Sequence, residues 1–236
     1  MFELPDIGLV VHDLVDGNSH YIDDYLKIYR ELFPRYIRYV PVMRRRAEAR
    51  ADESANEKWH QWLLVVGGKS VGIVGFLYNR KRNVGLLMDF AIYPDARKIR
   101  MDGNIPFSQF VLNLSMKQLI KDSCENGFST PICMAAEVEY PALLKKYVEY
   151  GYVKFPVEYF EPPYTPELEK VGDKIQMLNG VDYGRMHIGA FQIPGHPFNP
   201  NASEIIRTVL LAFLEDHYQL PSDHWLIQKT IHEIPV

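Results

Sequence analysis

The chain has 236 residues, 47% of them hydrophobic and 24% charged, with a formal net charge of −4; this suits one large globular domain, or one domain with an extension. The mild acidity leaves no electrostatic footprint for nucleic acid, and no run approaches the roughly 20 apolar residues that span a bilayer, so neither nucleic acid nor membrane is an expected partner. The opening MFELPDIGLVVHDLVDG has no basic segment ahead of an apolar one, which predicts a cytoplasmic location.

IGLVVHDLV (7–15) is rich in β-branched residues and precedes DGNS, so it predicts a first strand ending in a turn. In YIDDYLKIYRELF the apolar residues Tyr21, Ile22, Tyr25, Leu26, Ile28, Tyr29, Leu32 and Phe33 recur at helical spacing until Pro34. PVMRRRAEARADES (41–54) holds helix formers with little apolar stripe and predicts a second, surface-lying helix. Its basic cluster, Arg44, Arg45, Arg46 and Arg50, reads as a solvated helix face.

From His60 the pattern turns to strands. HQWLLVV, SVGIVGFLYN and VGLLMDFAIYP, separated by GGK and RKRN, predict a three-strand antiparallel meander. The polar DARKIRMDGNI leads to PFSQFVLNLSMKQLIKDSCENGF, the longest patterned helix, closed by Gly127. STPICMAAEVE then reads as an apolar strand, and PALLKKYVEY as a helix entered through Pro141 and stopped by Gly151. VKFPVEYFEPP and GDKIQMLN predict two more strands, the first interrupted at Pro156. After Gly180 a Gly/Pro-rich connection, GAFQIPGHPFNPN, leads to SEIIRTVLLAFLEDHYQL, an amphipathic helix with Ser203 placed to cap it, and a short tail.

This order resembles the GNAT superfamily of N-acetyltransferases over about residues 7–179. VGLLMDFAIYP before a basic loop looks like the family's fourth strand with its V-x-P-x-x-R exit, ICMAAE like its fifth strand, and KKYVEYGY (145–152) like its LY-x-x-x-GF segment. The resemblance implies an α+β, three-layer α/β/α fold. Its central sheet would be mixed and mostly antiparallel, splayed between the fourth and fifth strands. Residues 1–179 would form the acyltransferase domain and 180–236 an extension with one amphipathic helix.

The implied activity is transfer of an acetyl or short acyl group from acyl-CoA, as co-substrate, to an amine of a small molecule or peptide. Such chemistry needs a neutral amine, stabilisation of oxyanion charge and a proton for the departing thiolate. By resemblance Asp89 is the base and Tyr147 the proton donor, and Phe90, Ala91 and Ile92 supply backbone groups to the pantetheine arm. Arg97, Lys98, Arg100, Gly103 and Asn104 fall where the family holds the pyrophosphate. The usual Q/R-x-x-G-x-G/A is absent, and RKIRMDGN offers a single glycine, Gly103. The cations of that loop can compensate by charge-assisted contacts to phosphate. Glu137 and Glu139, at the end of the fifth strand, are placed to hold or deprotonate a cationic acceptor. Trp59, Trp62, Tyr36 and Tyr39 would line one wall of the acceptor pocket.

Periodicity alone gives Tyr147 a different part: Leu143, Leu144, Tyr147 and Val148 share one helical face, and an aromatic on such a face is usually core. Five of the eight histidines, His187, His196, His217, His224 and His232, lie in the extension without H-x-x-x-H spacing, and no metal is expected. Cys124 and Cys133 have no CxxC spacing and read as buried thiols. TVLLAFL is apolar on more than one face, which suits burial within the chain or a homodimer surface. A binding or regulatory module that keeps the fold without turnover is the alternative to an enzyme.

Overall fold

The computed structural model describes residues 2–4, 8–15, 17–50, 52, 54–162, 170–171, 174–175 and 184–235. They form two compact units, Met1–Tyr78 with Leu87–Glu125, and Asn79–Leu86 with Asn126–Val236.

In the first unit the strands β1 (Phe2–Leu4), β2 (Leu9–Asp13), β3 (Glu57–Val66), β4 (Lys69–Asn79) and β5 (Val84–Ile92) lie side by side in chain order. The hairpin end joining β4 and β5 belongs to the second unit. β2 runs antiparallel to both β1 and β3, with Val11 opposite Leu64. β1 was not expected from the sequence, and of the strand predicted over 7–15 only Leu9–Asp13 pairs as β2; Ile7 lies outside the described residues.

Helix α1 (Ile22–Leu32) buries Ile22, Tyr25, Leu26, Ile28 and Tyr29, as its spacing predicts. A 3-10 turn over Pro34–Tyr39 leads into α2 (Val40–Glu48). α2 is shorter than the 41–54 predicted: Ala49 is already extended, and the residues it buries, Val40, Met43 and Ala47, end there. Helices cover both faces of this unit because β3 alternates. Lys58 and His60 meet Asp122 on α3 (Phe107–Glu125), whereas Gln61 donates to the Met43 carbonyl and Trp59 lies under Arg46 of α2. The Arg46 guanidinium is 3.2 Å from the Trp59 ring centroid, so this member of the basic cluster packs on the sheet instead of standing in solvent. Between β5 and α3 the strands β6 (Arg100–Met101) and β7 (Ile105–Pro106) close a small hairpin.

His60 is buried between two carboxylates, with Nδ1 2.6 Å from Asp13 and Nε2 3.0 Å from Asp122. Carboxylates accept at both nitrogens, so both nitrogens carry protons. Burial alone would lower the His60 pKa; the hydrogen bonds to Asp122 and Asp13 override it and raise it to about 9. Lys58 closes the cluster, 2.8 Å from Asp122 and 2.5 Å from Glu125.

The second unit contains β8 (Met134–Val138), α4 (Pro141–Glu149), β9 (Tyr152–Lys154), β10 (Tyr159–Glu161), the short pair β11 (Lys170–Val171) and β12 (Lys174–Ile175), β13 (Gly184–Phe191), α5 (Ser203–Leu211) and α6 (Trp225–His232). Its organising strand is β13, which pairs antiparallel with β8, β9 and β10. The sequence pattern predicts no strand there and assigns Gly189–Phe191 to a connection. Gly189 explains the misreading: a Cβ at this position would stand 2.2 Å from the Val153 carbonyl oxygen. The glycine marks close approach of the β9 backbone and not a loop.

Four further expectations differ from the structure. VKFPVEYFE forms two strands, β9 and β10, divided at Pro156. The tail contains α6, and α5 begins after Ala202 without a side-chain cap, Ser203 being its first helical residue. Cys133 is buried but Cys124 is exposed. Residues 176–179 of the predicted GDKIQMLN strand lie outside the described residues.

TVLLAFL is buried within the chain, through Val209, Leu210, Ala212, Phe213 and Leu214, and α5 runs on into a π turn over Ala212–His217. That turn is tethered to the β4–β5 hairpin tip: Arg82 reaches Asp216 and Glu215, each at 2.5 Å, and Asn79 donates to Asp216 at 2.9 Å. The tip also meets the entry to β8, with Gly85 N–H donating to the Cys133 carbonyl at 2.9 Å.

Candidate active site

β5 is buried at both ends, yet Met88, Asp89 and Phe90 in its middle are half-buried. Asp89 therefore sits mid-strand, half-buried, and not at a solvent-facing strand end. Beside it β4 carries Gly75, where a Cβ would meet Asp89 Oδ2 at 2.9 Å and Tyr25 Oη at 3.1 Å. The missing side chain lets a carboxylate and a phenol come close to the strand backbone together.

Tyr25 and Tyr29, one helical turn apart on α1, are both buried. Among the described residues the Tyr25 hydroxyl has no hydrogen-bond partner. Burial, and then the charge of Asp89, hold the pKa of each phenol well above its usual value, so both stay protonated. Tyr36 and Tyr39 are close enough to influence Tyr29 as well, and their rings stack with centroids 6.2 Å apart. Of the residues expected to wall an acceptor pocket, these two are half-buried beside the α1–α2 core, whereas Trp62 is core, packed edge-on against Phe76 at 4.8 Å.

The groups expected to hold the acyl carrier also lie in this first unit. Ala91 and Ile92 are buried, and Gly72 packs so closely on Ala91 that a Cβ would meet its carbonyl oxygen at 2.6 Å. The Ile92 carbonyl accepts from Arg97 Nε at 2.7 Å. Arg100 Nη1 donates to the carbonyls of Arg97 (3.1 Å) and Ile99 (3.2 Å), and Lys98 pairs with Asp95 at 3.0 Å. All three cations are exposed. Gly103 and Asn104, with φ of 70° and 63°, form the exposed tip of the β6–β7 hairpin. Ahead of α3, Pro106 has no N–H, and the Phe107 N–H donates to the Ile99 carbonyl at 3.2 Å. The loop is thus a hairpin fastened to itself, in place of a glycine-rich turn presenting a row of amides.

Tyr147 and Glu137 lie in the second unit. Of the apolar face predicted on α4 only Tyr147 is buried; Leu143 is 38% and Val148 54% exposed. The Tyr147 ring packs edge-on against Phe191 at 5.1 Å and near Tyr152 at 6.0 Å. Tyr152 in turn donates to the Ala136 carbonyl at 2.9 Å. Burial, then the neighbouring Tyr150, raises the Tyr147 pKa, so this phenol also keeps its proton.

Glu137 shares a sheet face with Tyr159 and Glu161, since the register sets them opposite Ile188, Met186 and Gly184 of β13. The Tyr159 and Tyr218 hydroxyls donate to its carboxylate, the latter at 2.7 Å, and Tyr218 lies 3.4 Å from Glu161. Burial, then the Glu161 charge, raises the Glu137 pKa against the opposing pull of the two phenols. No sequence motif points to Tyr25, Gly75, Tyr159, Glu161 or Tyr218. The aromatics carried only a core signal, and Gly75 has no motif around it.

No protein-family model and no curated protein matches the chain. Its chain path is similar to solved acetyltransferase structures. Aminoglycoside 6'-acetyltransferase type Ii is 12% identical over 80% of this chain and 99% of its own, at a TM-score of 0.49. A chimera of Vibrio cholerae spermidine N-acetyltransferase SpeG with hSSAT is 14% identical over 80% and 98%, at 0.44. A GNAT family acetyltransferase from Elizabethkingia anophelis with acetyl-CoA bound is 12% identical over 78% and 98%, at 0.40.

Proposed function

We propose that the protein is an N-acyltransferase that moves an acetyl or short acyl group from acyl-CoA to the amine of a small molecule or peptide. The observation that carries this reading is Asp89, a half-buried carboxylate in the middle of β5 with protonated tyrosines beside it. An acceptor ammonium must lose a proton before its nitrogen attacks the thioester carbonyl, and Asp89 takes it. Backbone groups of Phe90, Ala91 and Ile92 serve the pantetheine arm. Arg97, Lys98, Arg100, Gly103 and Asn104 serve the pyrophosphate through their exposed charges and hairpin tip. When the C–S bond breaks, the thiolate takes the Tyr147 phenolic proton, which burial keeps in place until then. Glu137, favoured as the neutral acid, ionises when a cationic acceptor approaches its carboxyl group.

The self-fastened β6–β7 hairpin favours a second reading, a binding module on the same fold without turnover. Thermal unfolding with and without acetyl-CoA tests whether the chain binds the acyl carrier, because a ligand of the folded state raises the midpoint by mass action. We expect a rise; no shift at concentrations far above a plausible Kd sinks the acyltransferase. In the enzyme, Tyr147→Phe should fold almost unchanged and lose turnover by roughly 100-fold or more. Undiminished turnover assigns Tyr147 to the core alone.

A further inference from the structure

The 3-10 turn over Pro34–Tyr39 joins α1 to α2 and buries none of its six residues. Its sequence, PRYIRY, carries two tyrosines and an isoleucine, and Ile37 is 49% exposed, so the fold gains little from that side chain. Cations surround the same turn. Between residues 30 and 47 stand six arginines and one carboxylate, Glu31, in a chain whose net charge is −4. Glu31 accepts from the Tyr93 hydroxyl. Arg44 is neutralised by Asp23 at 2.5 Å and Glu48 at 3.8 Å, and Arg46 lies over the Trp59 ring. Arg30, Arg38 and Arg45, by contrast, are exposed and make no ion pair among the described residues. The Tyr36 and Tyr39 rings stack on each other, and the Arg38 guanidinium lies 5.4 Å from the Tyr39 centroid. Ring packing therefore firms the turn and leaves Ile37 and the three arginines to solvent.

We propose that this turn and the adjoining exposed residues of α1 and α2 form a docking surface for an acidic peptide segment of a protein partner, one in which apolar side chains alternate with Asp and Glu. Charge complementarity selects the occupant. Guanidinium forks bind carboxylates in bidentate pairs, and Arg and Tyr are the side chains that most often carry the energy of protein interfaces. Ile37 seats an apolar side chain of the segment among those charges. A nucleic acid fits less well: rings engaged with each other and with Arg38 offer no open platform for bases, and phosphates have no use for Ile37. The surface binds without making or breaking a bond, and it stands whether or not the chain transfers acyl groups.

The test is fluorescence anisotropy of the full chain with a labelled peptide of ~12 residues repeating Asp-Glu-Leu. Counterpart peptides repeat Asn-Gln-Leu and Asp-Glu-Ser, and a single-stranded oligonucleotide of equal charge stands for nucleic acid. Wild type should bind the acidic apolar peptide more tightly at ~50 mM than at ~300 mM salt, and each counterpart ~5-fold more weakly or worse. Arg38→Gln/Arg45→Gln and Ile37→Ser should each weaken binding of the acidic apolar peptide ~5-fold or more. Lys117→Gln/Lys121→Gln, which removes the same charge from exposed positions of α3, should leave it unchanged. All these residues are exposed, so the variants should unfold at the wild-type midpoint, and the comparison of probes is decisive on wild type alone. No binding by wild type, equal binding of either counterpart peptide, undiminished binding by Arg38→Gln/Arg45→Gln or Ile37→Ser, or an equal loss in the α3 variant each overturns the docking surface. An oligonucleotide that binds as tightly as the peptide overturns it too, and assigns the arginines to nucleic acid.

Discussion

Each unit buries a polar cluster, and the two are solved in opposite ways. In the first, His60 lies between Asp13 and Asp122 with Lys58 beside Asp122, so cations alternate with carboxylates and the ring is held charged. In the second, Glu137 is met by the phenols of Tyr159 and Tyr218 and by a second carboxylate, Glu161, so its neutral form is favoured. Burial works against charge in both; what differs is whether an opposite charge at hydrogen-bond distance overcomes it. The first arrangement is that of a structural brace. The second keeps a carboxyl poised to change state, which suits a group that handles a proton or a cation.

The comparison breaks most visibly at His60. His60→Leu leaves Asp122, whose side chain is fully buried, with Lys58 as its remaining charged partner, and should cost ~3–5 kcal/mol in urea unfolding at pH 6. The pH dependence has a defined sign. The folded pKa of about 9 exceeds the ordinary 6.5, so this stabilisation is complete below pH 6.5 and is lost as pH rises through about 9. Wild type should weaken across that window, and His60→Leu should show a flatter profile. An equal slope in both would mean that His60 is not charged in the folded chain.

Glu137 gives the opposing case with a smaller effect. Its folded pKa is raised, so the folded chain holds a proton that the unfolded chain releases, and stability falls as pH rises above the ordinary carboxylate range. Amide hydrogen exchange, corrected for intrinsic rates, reports the units separately. Protection of the β8 and β13 amides should fall between pH 6 and 8.5, and Glu137→Gln should regain at least ~1 kcal/mol there. The β2 and β3 amides should not respond to that substitution. A flat wild-type profile in β8 and β13 would show that Glu137 is already ionised.

What the sequence disclosed divides along the same physical line. Periodic segments with clear stops were legible: α1 with its burial face, the three-strand meander, and α3 up to Gly127. Asp89 could be singled out only through the family resemblance, as the acidic residue of VGLLMDFAIYP. The partners that give Asp89 and Glu137 their chemistry were not legible, because they come from distant elements. Tyr25 looks like any aromatic on an apolar helical face, and Gly75 acquires meaning only once Asp89 stands opposite it. Glu137 meets Tyr218 across 81 positions of sequence. β13 was missed because the close approach that requires Gly189 is a tertiary fact that local composition reports as a loop.

The smallest effect tests the aromatic cluster around Tyr147. Tyr152→Phe keeps the ring that packs at 5.2 Å from Phe191 but deletes the buried hydrogen bond to the Ala136 carbonyl, and should cost ~1 kcal/mol in thermal or urea unfolding. Tyr147→Phe keeps the same kind of packing, and on the proton-donor assignment its hydroxyl serves turnover instead of the fold, so its cost should be smaller still. The ratio of the two is the informative quantity. If Tyr147→Phe destabilises as much as Tyr152→Phe while turnover is retained, both hydroxyls are core fasteners; if only Tyr152→Phe destabilises and only Tyr147→Phe loses turnover, one cluster of neighbouring tyrosines has divided its labour between holding β8 to β9 and protonating a leaving group.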